Sequence, residues 1–221
     1  MSEYKRSAET RQKIIDATIK LIRKNGYASL NIKSIGDELG MPRSLIYYYY
    51  SNKEDILLAL YRIRFSDVHN AVEKATKNEE NPMIRLLLGY LMFSKFLLHD
   101  PLFTEFILNY PTFATLGGDA LNKTIDEFYD DSREAFRYYG LPLNGDLLKE
   151  HVITIDALSR ALNQGVYNGS FHFTEEEMMT YLCERTIMIT FNLTKQEMSD
   201  FLSHTFELAK SIKSIRSTYI M

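Results

Sequence analysis

Apolar residues recur along this chain at spacings of three and four, the period of helices with one buried face. From Ser7 to Asn25 that face is Ile14, Ala17, Thr18, Leu21 and Ile22; Arg23 and Lys24 fill the last turn, where cations suit the helix dipole, and Gly26 is the natural stop. Three shorter elements follow. Asn31 can cap a helix over 32–39 with Ile32, Ile35 and Leu39 on one side, and Gly40 ends it. Pro42 opens a second short helix through Tyr50. Ser51 and Glu54 form a capping box that starts a fourth helix at Asn52, running through Ile56, Leu57, Leu60 and Ile63 towards Thr76. Lys77 to Asn81 is a polar break.

The later pattern is helical too. Pro82 to His99 is strongly apolar, with Leu86, Leu87, Leu88, Leu91, Phe93, Phe96 and Leu97. Pro101 starts a short helix that ends before Pro111, and 112–118 is a loop. Further helices are expected over Asp119–Tyr139, Asp146–Asn168, from Thr174 through the acidic turn Glu175–Glu177 to Phe191, and from the Thr194/Glu197 capping box to about Ser214. No strand-like alternation of useful length occurs, so the fold class is all-α with about ten helices. Apolar residues at 45% and charged residues at 25% describe a chain able to bury a core, and exclude wholesale disorder. The single cysteine, Cys183, excludes an internal disulfide and reads as an inert buried thiol on a packed helix. No run approaches the roughly 20 apolar residues of a membrane span. Residues 1–11 are polar and lack a signal-peptide core, so a cytoplasmic protein without membrane association is expected.

A net charge of −3 taken alone speaks against nucleic acid, but its distribution does not. Residues 1–65 carry 12 Lys and Arg against 7 Asp and Glu, whereas residues 66–221 carry 14 against 22. The basic excess coincides with the most specific local pattern, two short helices joined by a tight glycine turn over 31–50. Gly36 supplies the small residue where such helices cross. Ile35, Leu39, Ile46 and Tyr50 supply the buried set, and Arg43 and Ser44 stand in the first turn of the second helix, where side chains can reach base edges. Lys5, Arg6 and Arg11 read as solvated charges or weak, non-specific contacts.

The run from Ile35-Gly36 through Gly40-Met41-Pro42-Arg43-Ser44-Leu45-Ile46 and the four tyrosines to Ser51-Asn52-Lys53-Glu54-Asp55-Ile56-Leu57 resembles the DNA-binding signature of the TetR family of bacterial transcriptional regulators. The likeness spans residues 10–60; the remainder resembles the family in length and helical organisation only. It implies an N-terminal three-helix DNA-binding domain over 1–51 and a larger effector-binding and dimerisation domain over 52–221, connected by the helix of residues 52–76. It also implies roles by position. Arg43, Ser44 and Leu45 meet bases, and Tyr48 faces the groove. Asn31, Tyr47, Tyr49 and Lys53 meet backbone phosphate. Some positions depart from the family pattern: Gly36 stands where alanine is usual, Pro42 where a capping Ser or Thr is common, and Ser44 where glycine is frequent.

In this family the central helices usually enclose an effector. A moderately large hydrophobic compound is expected here, contacted by some of Phe93, Phe96, Phe103, Tyr110, Phe128 and Tyr167. Pairing of two copies is expected because one recognition helix offers too few base contacts and a two-fold dimer reads two half-sites. The resemblance places that interface on late helices. The apolar residues Val152, Ile155, Leu158, Leu162, Met178, Leu182 and Ile189 are the candidates, with the last helix as the competing choice. The expected function is a ligand-responsive regulator, a repressor released from a palindromic operator by its effector; the alternative is an architectural DNA-binding protein without effector control. The histidines at 69, 99, 151, 172 and 204 show no metal-ligand spacing, no cofactor motif occurs, and no catalytic constellation marks an enzyme.

Overall fold

The structure, a computed structural model, describes residues 3–99 and 129–212. All the regular structure in these residues is helical. Helix α1 spans Glu3–Asn25 and is followed by a 3-10 turn over Tyr27–Ser29. Helices α2 (Ile32–Leu39), α3 (Arg43–Tyr49) and α4 (Lys53–Ala75) come next, then α5 (Pro82–His99). After residue 129 come α6 (Asp130–Tyr138), α7 (Asp146–Tyr167), α8 (Glu175–Arg185), the single turn α9 (Ile187–Thr190) and α10 (Lys195–Ser211). The helices expected from Pro101 and over the first part of Asp119–Tyr139 fall outside the described residues.

Local chemistry sets most boundaries. Asn31 Oδ1 accepts the Ser34 N–H at 2.9 Å, and the Ser34 hydroxyl in turn takes the Asn31 N–H, so α2 begins on a reciprocal cap. Thr174 with Glu177 and Thr194 with Glu197 cap α8 and α10 in the same way. Three expectations are corrected. The cap of α4 is Asn52, whose Oδ1 accepts the Asp55 N–H at 2.8 Å, and not the Ser51/Glu54 box; Asp55 reaches back to the Ser51 N–H instead. Tyr129 is not helical (φ −124°, ψ 33°), and α6 starts afresh at Asp130 with two acids in its first turn. The expected helix from Thr174 to Phe191 breaks at Thr186, a buried residue with φ −125° and ψ −70° whose hydroxyl bonds the Leu182 carbonyl at 2.7 Å.

Two large apolar clusters hold these helices, with a smaller one between them. The first joins α1 to α4 through Ile14, Ile22, Ile35, Ile46, Ile56, Leu57 and Leu60. The second joins α5 to α10 around Met83, Leu87, Phe136, Val152, Met179 and Cys183. Burial pushes the Cys183 thiol well above its usual range, so it packs as a small neutral group. Between them, Val68 and Val72 of α4 pack on Leu88 and Met92 of α5. Of the residues assigned to a dimer face, Val152, Ile155, Leu162, Met178 and Leu182 are interior to this chain; only Ile189, 71% exposed, faces outward. Periodicity marks an apolar face but not which neighbour covers it.

The helix crossing at Gly36 is tight. A Cβ there would stand 2.8 Å from the Met41 carbonyl oxygen, a backbone atom fixed by the Met41 N–H bond to Gly36 O at 2.9 Å. Gly36→Ala is therefore expected to lower the melting temperature, despite the ~1 kcal/mol that alanine ordinarily gains over glycine inside a helix; a melting curve checks this.

A second prediction comes from His151 on α7. Its ring is buried edge-on against Phe136 (5.3 Å) and Phe191 (5.7 Å), with Nδ1 3.3 Å from the Thr190 hydroxyl and Nε2 without a partner. Desolvation lowers its pKa to about 4. Below the unfolded value near 6.5 the unfolded chain binds the proton and the folded chain does not. The stability present above pH 6.5 should thus fall as pH drops towards 4, by roughly 3 kcal/mol in all. Urea titrations at several pH values should show this slope in the native chain and its loss in His151→Leu.

Candidate nucleic-acid interface and buried cavity

The first site is the outer surface of α3. Seven residues make no stable helix alone, so α3 is held from outside. Ile46 is fully buried and Tyr50 is 7% exposed beneath it, as core residues. Gly40 (φ 62°) and Pro42 turn the chain from α2, and the Leu45 N–H bonds the Pro42 carbonyl at 3.0 Å. At the other end Arg11 of α1 donates from Nη1 to the Tyr49 carbonyl at 2.8 Å and lies over the Tyr49 and Tyr50 rings at 5.4 and 5.3 Å. The reading of Arg11 as a solvated charge or a weak, non-specific contact is corrected: it closes the C-terminus of α3.

With these anchors, Arg43, Ser44, Leu45, Tyr47 and Tyr48 stand exposed on one short helix that carries no acidic residue. Tyr48 is the most exposed at 77%, and its ring meets Tyr49, half-buried, edge-on at 5.0 Å. Asn31 is exposed, with its side-chain oxygen committed to the cap of α2. Lys53 is half-buried; its Nζ donates to the Leu30 carbonyl at 3.3 Å and lies 4.7 Å over the Tyr27 ring. Five of the expected interface residues thus stand exposed together on α3, while Asn31 caps α2 and Lys53 ties the start of α4 to the segment before α2.

The second site is a cavity of about 90 Å³ enclosed by α4, α5, α6 and α7. Helix α4 supplies Tyr61, Phe65, Val68, His69 and Val72; α5 supplies Leu86, Gly89, Tyr90 and Phe93. The rings of Tyr61, Phe65 and Phe93 form a cluster with centroids 5.8–6.3 Å apart. Polar groups interrupt this apolar lining. The Asp131 Oδ1 forms an ion pair with Arg85 Nε at 3.0 Å, and its Oδ2 lies 3.8 Å from His69 Nδ1. Burial raises the Asp131 carboxyl above the usual range, against the pull of Arg85. Arg85 also pairs with Glu134. The Tyr90 hydroxyl and Ser132 share a hydrogen bond of 3.0 Å. On α7 Arg160 donates from Nε to Asp156 at 2.8 Å, both side chains being largely covered.

Of the residues expected to contact an effector, Phe93 lines this cavity. Phe96 lies on α5, but its side chain, with Phe103, Tyr110 and Phe128, falls outside what the structure describes. Tyr167 is a correction: it ends α7, is 55% exposed and takes no part in the lining. The space is also tighter than a moderately large effector requires. Sequence reasoning missed Tyr61, Phe65, Asp131, Asp156 and Arg160. Positions 61, 65, 68 and 72 do follow helical spacing, but α4 reads as a connector, and a four-residue Asp–Arg spacing usually means a solvated pair. Among the described residues no group of His, Cys, Asp and Glu could hold a metal ion, and no helix is long and apolar enough to cross a membrane.

Residues 14–60 match the family described as bacterial regulatory proteins, tetR family. A fatty acid metabolism regulator protein of Bacillus subtilis (strain 168) is 32% identical over 75 residues, 34% of this chain and 39% of that protein. The chain thus spans well under half of that relative. A second relative from the same organism, the uncharacterized HTH-type transcriptional regulator YerO, is 24% identical over 212 residues, 88% of this chain and 69% of its own length. Among solved structures, RolR in complex with resorcinol superposes with a TM-score of 0.62 at 14% identity, covering 91% of this chain and 96% of that one. At that identity the likeness is one of fold. The signature at 14–60, set on an all-helical fold shared along the chain, is that of the tetR family of bacterial regulatory proteins.

Proposed function

We propose that the chain is an effector-responsive repressor of transcription that binds a palindromic operator as a homodimer and leaves it when a small compound enters the cavity. The observation that carries this reading is the double role of α4. Its first third, with Ile56, Leu57 and Leu60, is part of the core on which α3 rests, and the stretch that follows, Tyr61 to Val72, walls the cavity. A change of side-chain packing in the cavity acts on the helix that carries the reading head. An architectural DNA-binding protein would need no such cavity.

In this reading residues 1–51 bind DNA and residues 52–221 bind effector and partner. Arg43, Ser44, Leu45 and Tyr48 meet base edges, with Arg43 suited to guanine O6 and N7. Asn31, Tyr47, Tyr49 and Lys53 meet phosphate and set the register. Phe93 contacts the effector with Tyr61 and Phe65; Phe96, Phe103, Tyr110 and Phe128 are assigned to it on sequence alone. The dimer forms on the outward stripe of α7, where Thr154, Ala157, Ala161 and Gln164 are exposed at alternating spacings of three and four, extended by the exposed Tyr167 and Ile189. Small residues let two helices approach closely.

Selection of the purified protein on a random double-stranded library at physiological salt should enrich one palindrome; non-specific retention that fades with salt would overturn the regulator reading. On the selected site Arg43→Ala should cost about 1–3 kcal/mol at one base position and relax specificity there. Lys53→Ala should weaken all sequences alike and lower the salt slope by about one. Ala161→Arg should give a monomer by light scattering and abolish tight binding to the full palindrome.

A further inference from the structure

The cavity walls carry more polar chemistry than a purely apolar effector would use. The inference below rests on the reading of this cavity as the effector site. Its size sets the scale. A cavity of about 150 Å³ holds a benzene ring; the roughly 90 Å³ here is smaller still, so one ring, admitted with some give of the walls, is the most it takes, and a long acyl chain does not fit. The Tyr61, Phe65 and Phe93 rings already pack edge-to-face and offset, and a fourth ring continues that arrangement.

The polar groups set the chemistry. Asp131 Oδ1 is taken by Arg85, but Oδ2 is beyond hydrogen-bonding reach of His69 at 3.8 Å and accepts no hydrogen bond from the described residues. Gly89 leaves the space before this oxygen open; a Cβ there would stand 3.9 Å from it. Asp156 brings a second carboxylate to the lining from α7. Carboxylate oxygens only accept, so they select donors. An anionic ligand would meet two carboxylates, one of them already penalised by burial. A cation gains little, because the guanidinium groups of Arg85 and Arg160 offset both charges.

We propose that the cavity takes a small, uncharged single-ring aromatic compound bearing hydroxyl donors, a phenol or dihydroxybenzene, whose O–H groups are accepted by Asp131 and Asp156. Calorimetric titration of the full chain with hydroquinone, phenol, toluene, benzoate and benzylamine tests this. Hydroquinone should bind about tenfold or more tightly than toluene, the scale of a charge-assisted hydrogen bond, and benzoate and benzylamine should bind more weakly than phenol. Asp131→Asn should erase most of the hydroquinone advantage while leaving toluene affinity unchanged; Asp156→Asn makes the same comparison if that variant does not fold. Gly89→Val should abolish binding of every ring by filling the space. Equal affinity for hydroquinone and toluene, tighter binding of benzoate, or an advantage unmoved by both Asp variants would overturn donor recognition and leave the effector site standing. Binding of no probe, or binding indifferent to Gly89→Val, would overturn the effector-site reading as well.

Discussion

Everything in this molecule that depends on distance depends on the continuity of α4. Its 23 residues make a rod about 35 Å long at 1.5 Å per residue. Buried side chains clamp it at both ends, Ile56, Leu57 and Leu60 under α3 and Val68 and Val72 against α5. Neither clamp can slide without exposing apolar surface or opening voids, so the rod answers a change at one end by tilting as a unit. The cavity borders the stretch between and beside the clamps, on the face that carries Tyr61, Phe65 and His69. An unbroken helix held at two points is the simplest device that turns a local repacking into a displacement of a distant surface.

The reading head is stabilised by the same economy of parts. Helix α3 buries one fully enclosed side chain, Ile46, and, apart from the half-buried Tyr49, spends the rest of its surface on exposed residues. Its conformation is imposed by neighbours: Gly36 lets α2 come close, Arg11 holds the Tyr49 carbonyl, and Lys53 ties the start of α4 to the Leu30 carbonyl. Tertiary contacts of this kind replace the length that a self-sufficient helix would need. They also leave the face of α3 unconstrained by packing, which suits a surface that must vary to read different sequences.

The parts of this fold that were legible beforehand are those fixed by near neighbours in sequence. Asn31, Thr174 and Thr194 find their capping partners three residues on, and Pro82 begins α5 as expected. The glycine turn at 40 and the buried set Ile35, Ile46 and Tyr50 followed from spacing. The residues assigned to DNA were placed by a signature of fixed length, which sets their relative positions along the chain, and the structure leaves Arg43, Ser44, Leu45, Tyr47 and Tyr48 exposed. The cap of α4 shifted by one residue because Ser51 and Asn52 are both good caps and the Asp55 carboxylate can serve either. The break at Thr186 is not announced by its residue type, since Thr18 bonds the carbonyl four residues back in the same way inside the unbroken α1. What could not be read was the pairing of helices far apart in sequence. The cavity joins residues from 61 to 160, and which aromatic ring faces a void and which faces a neighbour is decided only when four helices meet. The same blindness put Val152 and Met178 on a dimer face when they belong to the chain's own core.

The energetics of the proposed switch close on the scale of a single ring. Allosteric couplings of the usual size amount to about 1–3 kcal/mol, enough to change operator affinity by about 5- to 150-fold. Burying an aromatic side chain from water gains about 1.5–3 kcal/mol. A ligand can shift the equilibrium only by the difference in its affinity for the two arrangements, so the cavity must be well formed in one and collapsed or misshapen in the other. The lining provides that contrast. Tyr61 and Phe65 of α4 pack edge-on against Phe93 of α5, contacts that a small rotation of α4 would open or close. Asp131 joins α6 to α5 through Arg85 and faces His69 of α4, so an effector that engages its free oxygen bears on all three helices at once. In the proposed switch, a ring that fits one packing of α4 and not the other commits most of its burial energy to that difference, and this is how a cavity this small would act on a DNA-binding surface at the far end of the rod.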